Sequence, residues 1–337
     1  MISITDFFAQ GELFSVLDSQ LQENRLPHAL LITGEEGLGK FTLAKTIAGA
    51  LLCEGDSGIH KPCGKCRSCL QMEHMNHPDL LLLQKGIHLT SDDRTKVISA
   101  DDIGVVLQEA GRTGFQANRR VIMIRNAEDM TDYAQNRLLK TLEEPQEGIF
   151  FLLTSTKPDL LLTTIISRCR RIPLHEWPEA ELIRILKANN YSEEKAQTIV
   201  MEAEGSPGRA LRLAEDEGYW SFRREVIQDF LNCAERANVM EIGNKWKDYK
   251  DQSETVFSIL DRFFSQMIRI CLSGSGDGSF PADCPDSWKH FVEKAKLEDM
   301  IRLTDALKLA RERTDRNVQF PIIVEQLIFT CMEARNA

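Results

Sequence analysis

Residues 28 to 42 read HALLITGEEGLGKFT, a short apolar run that breaks into a glycine-rich loop ending in Lys40. An apolar run followed at once by closely spaced glycines and a lysine describes a strand, a loop of exposed backbone N–H groups and a helix start, the arrangement that cradles phosphate. A working loop of this kind also needs a hydroxyl directly after the lysine to hold Mg²⁺. Gly34, Gly37, Gly39 and Lys40 supply the cradle, whereas Phe41 stands at the hydroxyl's position. Thr42 is no substitute, because one more helical residue turns a side chain about 100° away.

Three more apolar runs follow: DLLLLQ at 79 to 84, RVIMIR at 120 to 125 and IFFLLT at 149 to 154. Their alternation with helical patterns predicts a parallel sheet with crossover helices, buried on both faces, with ligands at the carboxyl ends of its strands. ATPases of this type end one apolar run with Asp for the metal and Glu for the attacking water. Here VIMI, at 121 to 124, is followed by Arg125 and Asn126. Glu128 and Asp129 are expected to lie too far into the next turn to point back at the same spot. Two independent losses argue against hydrolysis by this chain. The glycines either serve tight strand-to-helix packing or still bind nucleotide without Mg²⁺.

Cys53, Cys63, Cys66 and Cys69 stand in CEGDSGIHKPCGKCRSC. Two-residue spacers let successive thiolates converge on one ion, and four thiolates at about 2.3 Å suit a closed, structural Zn²⁺ site. Free or redox-active thiols are the alternative. His60, His74 and His77 lie nearby, with hydrogen-bonding or solvent-facing roles expected. The other cysteines, at 169, 233, 271, 284 and 331, are isolated and read as core residues.

The chain has 337 residues, beyond the roughly 250 to 300 at which single cores stop growing, so two or three domains are expected. A formal net charge of −10 excludes a protein that coats nucleic acid through a general basic surface. No apolar run reaches the ~18 residues of a membrane span, and the first residues lack a secretory pattern, so a cytoplasmic location is expected. After residue 173 helical spacing takes over. A small three-helix segment turns at GSPG, 205 to 208, and longer helices begin beyond about residue 216, with SGSGDGSFPADCPDS, 273 to 287, as a surface loop. Val324, Leu327, Ile328 and Cys331 share one helical face, either core or subunit contact. ISRCRR, at 166 to 171, puts three arginines at a domain edge, which charge pattern alone reads as a solvated face.

Together, RLPHALLITGEEGLGK (25 to 40), LLC (51 to 53) leading into the cysteines, HPD (77 to 79), NRLLKTLEEP (136 to 145), FFLLTSTKPDLLLTTIISRC (150 to 169) and GSPGRAL (205 to 211) carry a family resemblance. The sequence resembles the delta prime subunit family of the bacterial DNA polymerase III clamp loader, AAA+ proteins of the replication machinery. The match is strong over the first 215 residues and rests on organisation beyond them.

The resemblance implies an α/β AAA+ P-loop domain over 1–172 with an embedded zinc site at 53–69, a helical lid over 173–215 and an all-helical collar over 216–337. It implies a non-catalytic stator in a hetero-pentameric ring with gamma or tau and delta subunits, which loads the sliding clamp onto primer-template DNA in the bacterial cytoplasm, without a membrane partner. In that family the Arg of the SRC motif completes a neighbour's ATP site, which makes Arg168 an arginine finger acting in trans, positioned by Ser167 and Cys169. ATP with Mg²⁺ is not expected to be hydrolysed by this chain. Active members carry a sensing Arg in the lid; Gly208 stands there, with Arg209 one step later. The rivals are an active gamma or tau ATPase, opposed by Phe41, Arg125 and Asn126, and a zinc-dependent nucleic-acid-binding module on an inert AAA+ scaffold. Lys61, Lys65 and Arg67 permit that module, but no aromatic residue lies among the cysteines to stack a base.

Overall fold

In the computed structural model, which describes residues 4–55, 62–86, 97–111, 119–232, 236–273, 296–316 and 318–336, the four apolar runs are strands. They are β1 (Ala29–Thr33), β2 (Leu80–Leu83), β3 (Arg120–Ile124) and β4 (Ile149–Ser155), and a fifth, β5 (Arg170–Pro173), joins them. All pair in parallel, in the order β2-β3-β4-β1-β5. Every residue of β1 and of β3 is buried, which is why these runs are uniformly apolar rather than alternating.

β5 is absent from the sequence-based expectation for a physical reason. Its residues are Arg170, Arg171, Ile172 and Pro173, and only Ile172 is buried. It pairs with β1 alone, so it is an edge strand, where charge and a proline without an N–H are tolerated.

The helices are α1 (Glu12–Gln22), α2 (Lys40–Leu51), α3 (Arg67–Glu73), α4 (Ala100–Ala110), α5 (Asp132–Glu143), α6 (Thr163–Ile166) and α7 (Glu179–Ala188). They continue with α8 (Glu193–Ala203), α9 (Pro207–Glu215), α10 (Glu217–Asn232), α11 (Arg236–Trp246), α12 (Ser253–Ser273), α13 (Leu297–Asp315) and α14 (Phe320–Asn336). Local chemistry sets several starts. Ser99 caps α4 in a reciprocal box with Asp102, and the Thr131 hydroxyl caps α5 by accepting from Ala134 N–H.

Two compact units divide the chain: residues 1–185 with 204–209, and residues 186–203 with 210–337. In the first, α4 and α5 pack on the sheet through Ile103, Val106, Leu138 and Leu142 against Leu31, Ile122 and Phe151. In the second, α10 to α14 surround an aromatic core of Phe230, Trp246, Phe257, Phe263, Phe264 and Phe320. Val324, Leu327 and Ile328 are buried in that core, as one-sided helical spacing predicts. Of the loop expected at 273 to 287, Ser273 instead ends α12, and the remainder lies outside the described residues, as do Cys233 and Cys284.

The second unit also contains a buried charge cluster. Glu202, Arg223 and Arg262 are 1%, 2% and 8% exposed. Glu202 accepts from Arg223 Nε at 2.8 Å, from Tyr219 Oη at 2.8 Å and from Arg262 Nη1 at 3.4 Å. One carboxylate thus ties α8 to α10 and α12. Burial, followed by the Glu202 charge, pushes the Tyr219 hydroxyl up to about 12. Removing one member of a buried ion cluster leaves its partners desolvated and unpaired, at a cost of about 3–5 kcal/mol. Glu202→Ala is expected to lower the stability of this unit by that amount in urea unfolding followed by tryptophan fluorescence. A loss below about 1 kcal/mol, the scale of a surface pair, would mean the cluster is not what joins these helices.

Candidate functional site

The glycine loop leaves the carboxyl end of β1, where parallel sheets present their ligand sites. Gly34, Gly37 and Gly39 have φ of 143°, 81° and 97°, and Gly39 is the left-handed N-cap of α2. A Cβ at Gly34 would come within 2.6 Å of the Leu174 carbonyl oxygen, and one at Gly37 would run into Ser206 Oγ. The loop is therefore glycine-rich both for its backbone angles and for close approach.

Further bonds hold the loop from outside. Gly208 N–H donates to the Gly37 carbonyl at 2.9 Å, and the Trp177 indole donates to the Leu38 carbonyl at 3.0 Å. A Cβ at Gly208 would lie 3.0 Å from the Gly37 carbonyl oxygen, so the residue at the expected sensing-arginine position is one that packs against the loop. Arg209, one step later, pairs with Glu204 at 2.9 Å.

Lys40 is buried, and its ammonium donates to the carbonyls of Gly34 at 2.8 Å and Glu35 at 2.6 Å. Burial lowers its pKa, while Glu128, Glu35 and Glu36 act in the opposite direction. The Arg125 guanidinium lies 4.8 Å from the centroid of the Phe41 ring, within cation–π range. The two residues that stand where a metal-binding hydroxyl and a metal-binding acid are required therefore face each other. A cation and an aromatic ring occupy that corner of the site.

Glu128 lies in the turn Ala127–Asp129, and its charge acts on Lys40. Its carboxylate accepts from the backbone N–H of Thr156 at 2.9 Å and from the Thr156 hydroxyl. Burial would raise its pKa, but these bonds outweigh burial and hold it below the ordinary value. Burial raises the pKa of Asp129, against the opposing charge of Lys85.

The four clustered cysteines converge. Their sulfurs all lie within 4.8 Å of one another, with Cys53 to Cys66 at 4.0 Å and Cys63 to Cys69 at 3.9 Å. These distances are about twice a disulfide bond and close to the ~3.8 Å edge of a tetrahedron whose metal–sulfur bonds are about 2.3 Å. Backbone N–H groups of Gly55, Cys66 and Cys69 point at Cys53, Cys63 and Cys66 sulfurs at 3.4 Å each, orienting them as acceptors. N–H groups of Lys65 and Cys66 pull the Cys63 thiol down to about 6, whereas burial pushes Cys53 and Cys69 up. Four mutually close sulfurs can all be thiolates only with a cation between them, so the donor set fits a metal ion.

Of the three histidines expected as bystanders, His74 and His77 do not join the four sulfurs. His74 is exposed, and His60 lies outside the described residues, as does Lys61. His77 is buried and fastens the module from beneath: its Nδ1 accepts from Asp79 N–H at 3.1 Å, so Nε2–H is left to donate to Ser68 Oγ at 3.1 Å. Burial lowers its pKa, against the charges of Asp79 and Glu54. Lys45 on α2 donates to the Glu73 carbonyl at 2.8 Å, joining the cysteine module to the helix that follows the glycine loop.

Arg168 follows α6 and is 32% exposed. It donates to the Thr164 carbonyl at 2.9 Å, lies 3.4 Å from Ser167 Oγ, and is ion-paired with Glu143 at the end of α5. Ser167 therefore touches the arginine. Cys169 instead points into the core, where burial pushes its thiol up to about 12, so it fixes the backbone beneath the arginine.

A glycine loop at the end of an interior strand of a five-stranded parallel sheet, followed by an all-helical region, is an AAA+ P-loop arrangement. Residues 9–178 match the family described as DNA polymerase III, delta subunit. The chain is 26% identical to the DNA polymerase III subunit delta′ of Bacillus subtilis over 330 residues, covering 96% of each. Against the subunit delta′ of Escherichia coli it is 34% identical over 218 residues, 64% of this chain and 62% of that one. It is also 33% identical to the E. coli subunit tau over 220 residues, 63% of this chain and 32% of the relative. The chain belongs to the DNA polymerase III delta′ family.

Gly55 is a determinant that sequence spacing missed. A Cβ there would lie 2.8 Å from Cys63 Sγ and 3.4 Å from Cys53 Sγ. Gly55→Ala is expected to weaken metal binding about 10- to 100-fold, the usual effect of disturbing groups around metal ligands, measured by competition with a chelator for Zn²⁺. Unchanged affinity would show that the sulfurs rearrange freely around the added methyl.

Proposed function

We propose that this chain is the ATPase-defective stator of a DNA polymerase III clamp loader, the reading its family and its altered site support together. The observation that carries it is the contact between Arg125 and Phe41. Hydrolysis of this type needs a cation held by a hydroxyl and an acid. Here a guanidinium stacked on a ring stands at those two positions, with Asn126 where the water-activating acid belongs. The same contact weighs against an active gamma- or tau-like ATPase, so nucleotide chemistry is assigned to a neighbouring subunit. The glycine loop with Lys40 serves as a structural cradle.

Arg168 is the arginine offered in trans. A guanidinium fork beside the phosphates of a neighbour's ATP stabilises the negative charge that spreads over the transferring phosphoryl group. The division into a nucleotide-binding-like domain at 1–172, a lid at 173–215 and a collar at 216–337 suits a ring subunit. Gamma or tau and delta subunits are the ring partners, and the sliding clamp and primer-template DNA engage through the complex. Cys53, Cys63, Cys66 and Cys69 would hold Zn²⁺, which as a closed four-thiolate site supplies folding energy rather than reactivity. The working location is the cytoplasm; among the described residues no helix is long and apolar enough to cross a membrane.

Arg168→Ala in the reconstituted complex is expected to lower DNA- and clamp-stimulated ATP turnover by roughly 10³-fold or more at the site it completes, the scale of an arginine finger, while assembly persists. Unchanged turnover with intact assembly would overturn the assignment.

A further inference from the structure

The contacts of Arg168 come from two sources. Thr164 and Ser167 are neighbours on its own turn and act on the arginine locally. Glu143 belongs to α5, a different element, and its carboxylate reaches Nη2. The same helix carries Gln135, which is 1% exposed. The Gln135 side chain accepts from Leu162 N–H, at the N-cap of α6, at 2.8 Å and donates to the Met130 carbonyl at 3.4 Å. The α6 turn is thus tied to α5 at its start by a buried amide, and the arginine at its end is tied to the same helix by a carboxylate.

An arginine without a partner spreads over many rotamers, and few of them aim the fork at one point. We infer that Glu143 is a positioning residue for Arg168, holding its guanidinium off the end of α6 before a neighbouring phosphate arrives. This rests on the reading of Arg168 as a finger acting in trans. The pair is suited to such a role because it is not deeply buried: the side chains are 32% and 48% exposed. A pair of that exposure is weakly held, so the guanidinium exchanges the carboxylate for phosphoryl oxygens at little cost. Glu143 neither touches nucleotide nor moves a proton. Its effect appears in the fraction of encounters in which the fork is aimed.

The test is steady-state ATP turnover of the assembled complex, measured against ATP concentration, with Glu143→Gln, Glu143→Asp, Arg168→Ala and the Glu143→Gln/Arg168→Ala double variant. Glu143→Gln is expected to lower kcat about two- to fivefold, the factor that corresponds to a partly exposed ion pair, with KM unchanged. Glu143→Asp recovers most of the loss, and Glu143→Gln adds nothing once Arg168 is alanine. An equal loss in the Arg168→Ala background would overturn the inference in favour of a general effect on α5. No loss from Glu143→Gln alongside a clear loss from Arg168→Ala would overturn it while leaving the finger intact. Insensitivity to Arg168→Ala would overturn the finger assignment and this inference with it.

Discussion

β1 is bonded to β4 along one edge and to β5 along the other, and its residues Leu30, Leu31 and Ile32 are completely buried. A strand held on both edges and both faces has no freedom to slide, since a one-residue slip would turn Thr33 and the loop away from their partners. The rest of the sheet unit takes its positions from that constraint. Gly34 leaves the end of β1 against the Leu174 carbonyl, Arg125 and Asn126 leave β3 and Thr156 follows β4, whereas Arg168 precedes β5 and lies at the opposite, amino end of the strands. Residues more than a hundred positions apart are brought to one end of the sheet because three buried parallel strands stop there together.

At that end, a cradle-like backbone stands beside side chains that do not supply a metal's oxygen donors at two positions, Phe41 and Arg125. The glycine angles and the left-handed cap of α2 match what a phosphate cradle needs. What differs is the charge beside it. A divalent ion is held by oxygen donors, and at this corner the Phe41 ring and the Arg125 guanidinium satisfy each other. Lys40 turns to the carbonyls of its own loop, and the Glu128 carboxylate takes hydrogen bonds from Thr156. Lys40 and one oxygen of Glu128 thus have local partners, and the loop carbonyls of Gly37 and Leu38 are taken by Gly208 and Trp177. A cradle held in this way suits a part that transmits position.

How much of this was legible in the sequence depended on whether the signal was local. β1 to β4 were readable because strands buried on both faces leave unbroken apolar runs. β5 was not, because an edge strand can carry Arg170 and Arg171 outward and needs only Ile172 inward. The cysteine module was readable from its spacing, since the spacing is the geometry. The need for glycine at 55 was not, because it arises from the approach of Cys63, eight residues further along the chain. The hydrogen bonds of Glu128 to Thr156 were not legible, because they depend on the left-handed Asn126, with φ 52°, and the tight turn that follows it. Glu143 and Glu202 act on partners 25 and 60 residues away. Nothing in their local pattern separates them from solvent-facing acids.

The central claim is that the loop has kept its shape and lost its metal chemistry. Steady-state ATP hydrolysis by the purified chain with Mg²⁺, set beside a Lys40→Ala control, tests it most directly. Turnover indistinguishable from the control is the predicted result. Clear turnover that Lys40→Ala abolishes would contradict the claim, because it would mean that the site holds its metal without the hydroxyl replaced by Phe41 and without the acid replaced by Arg125.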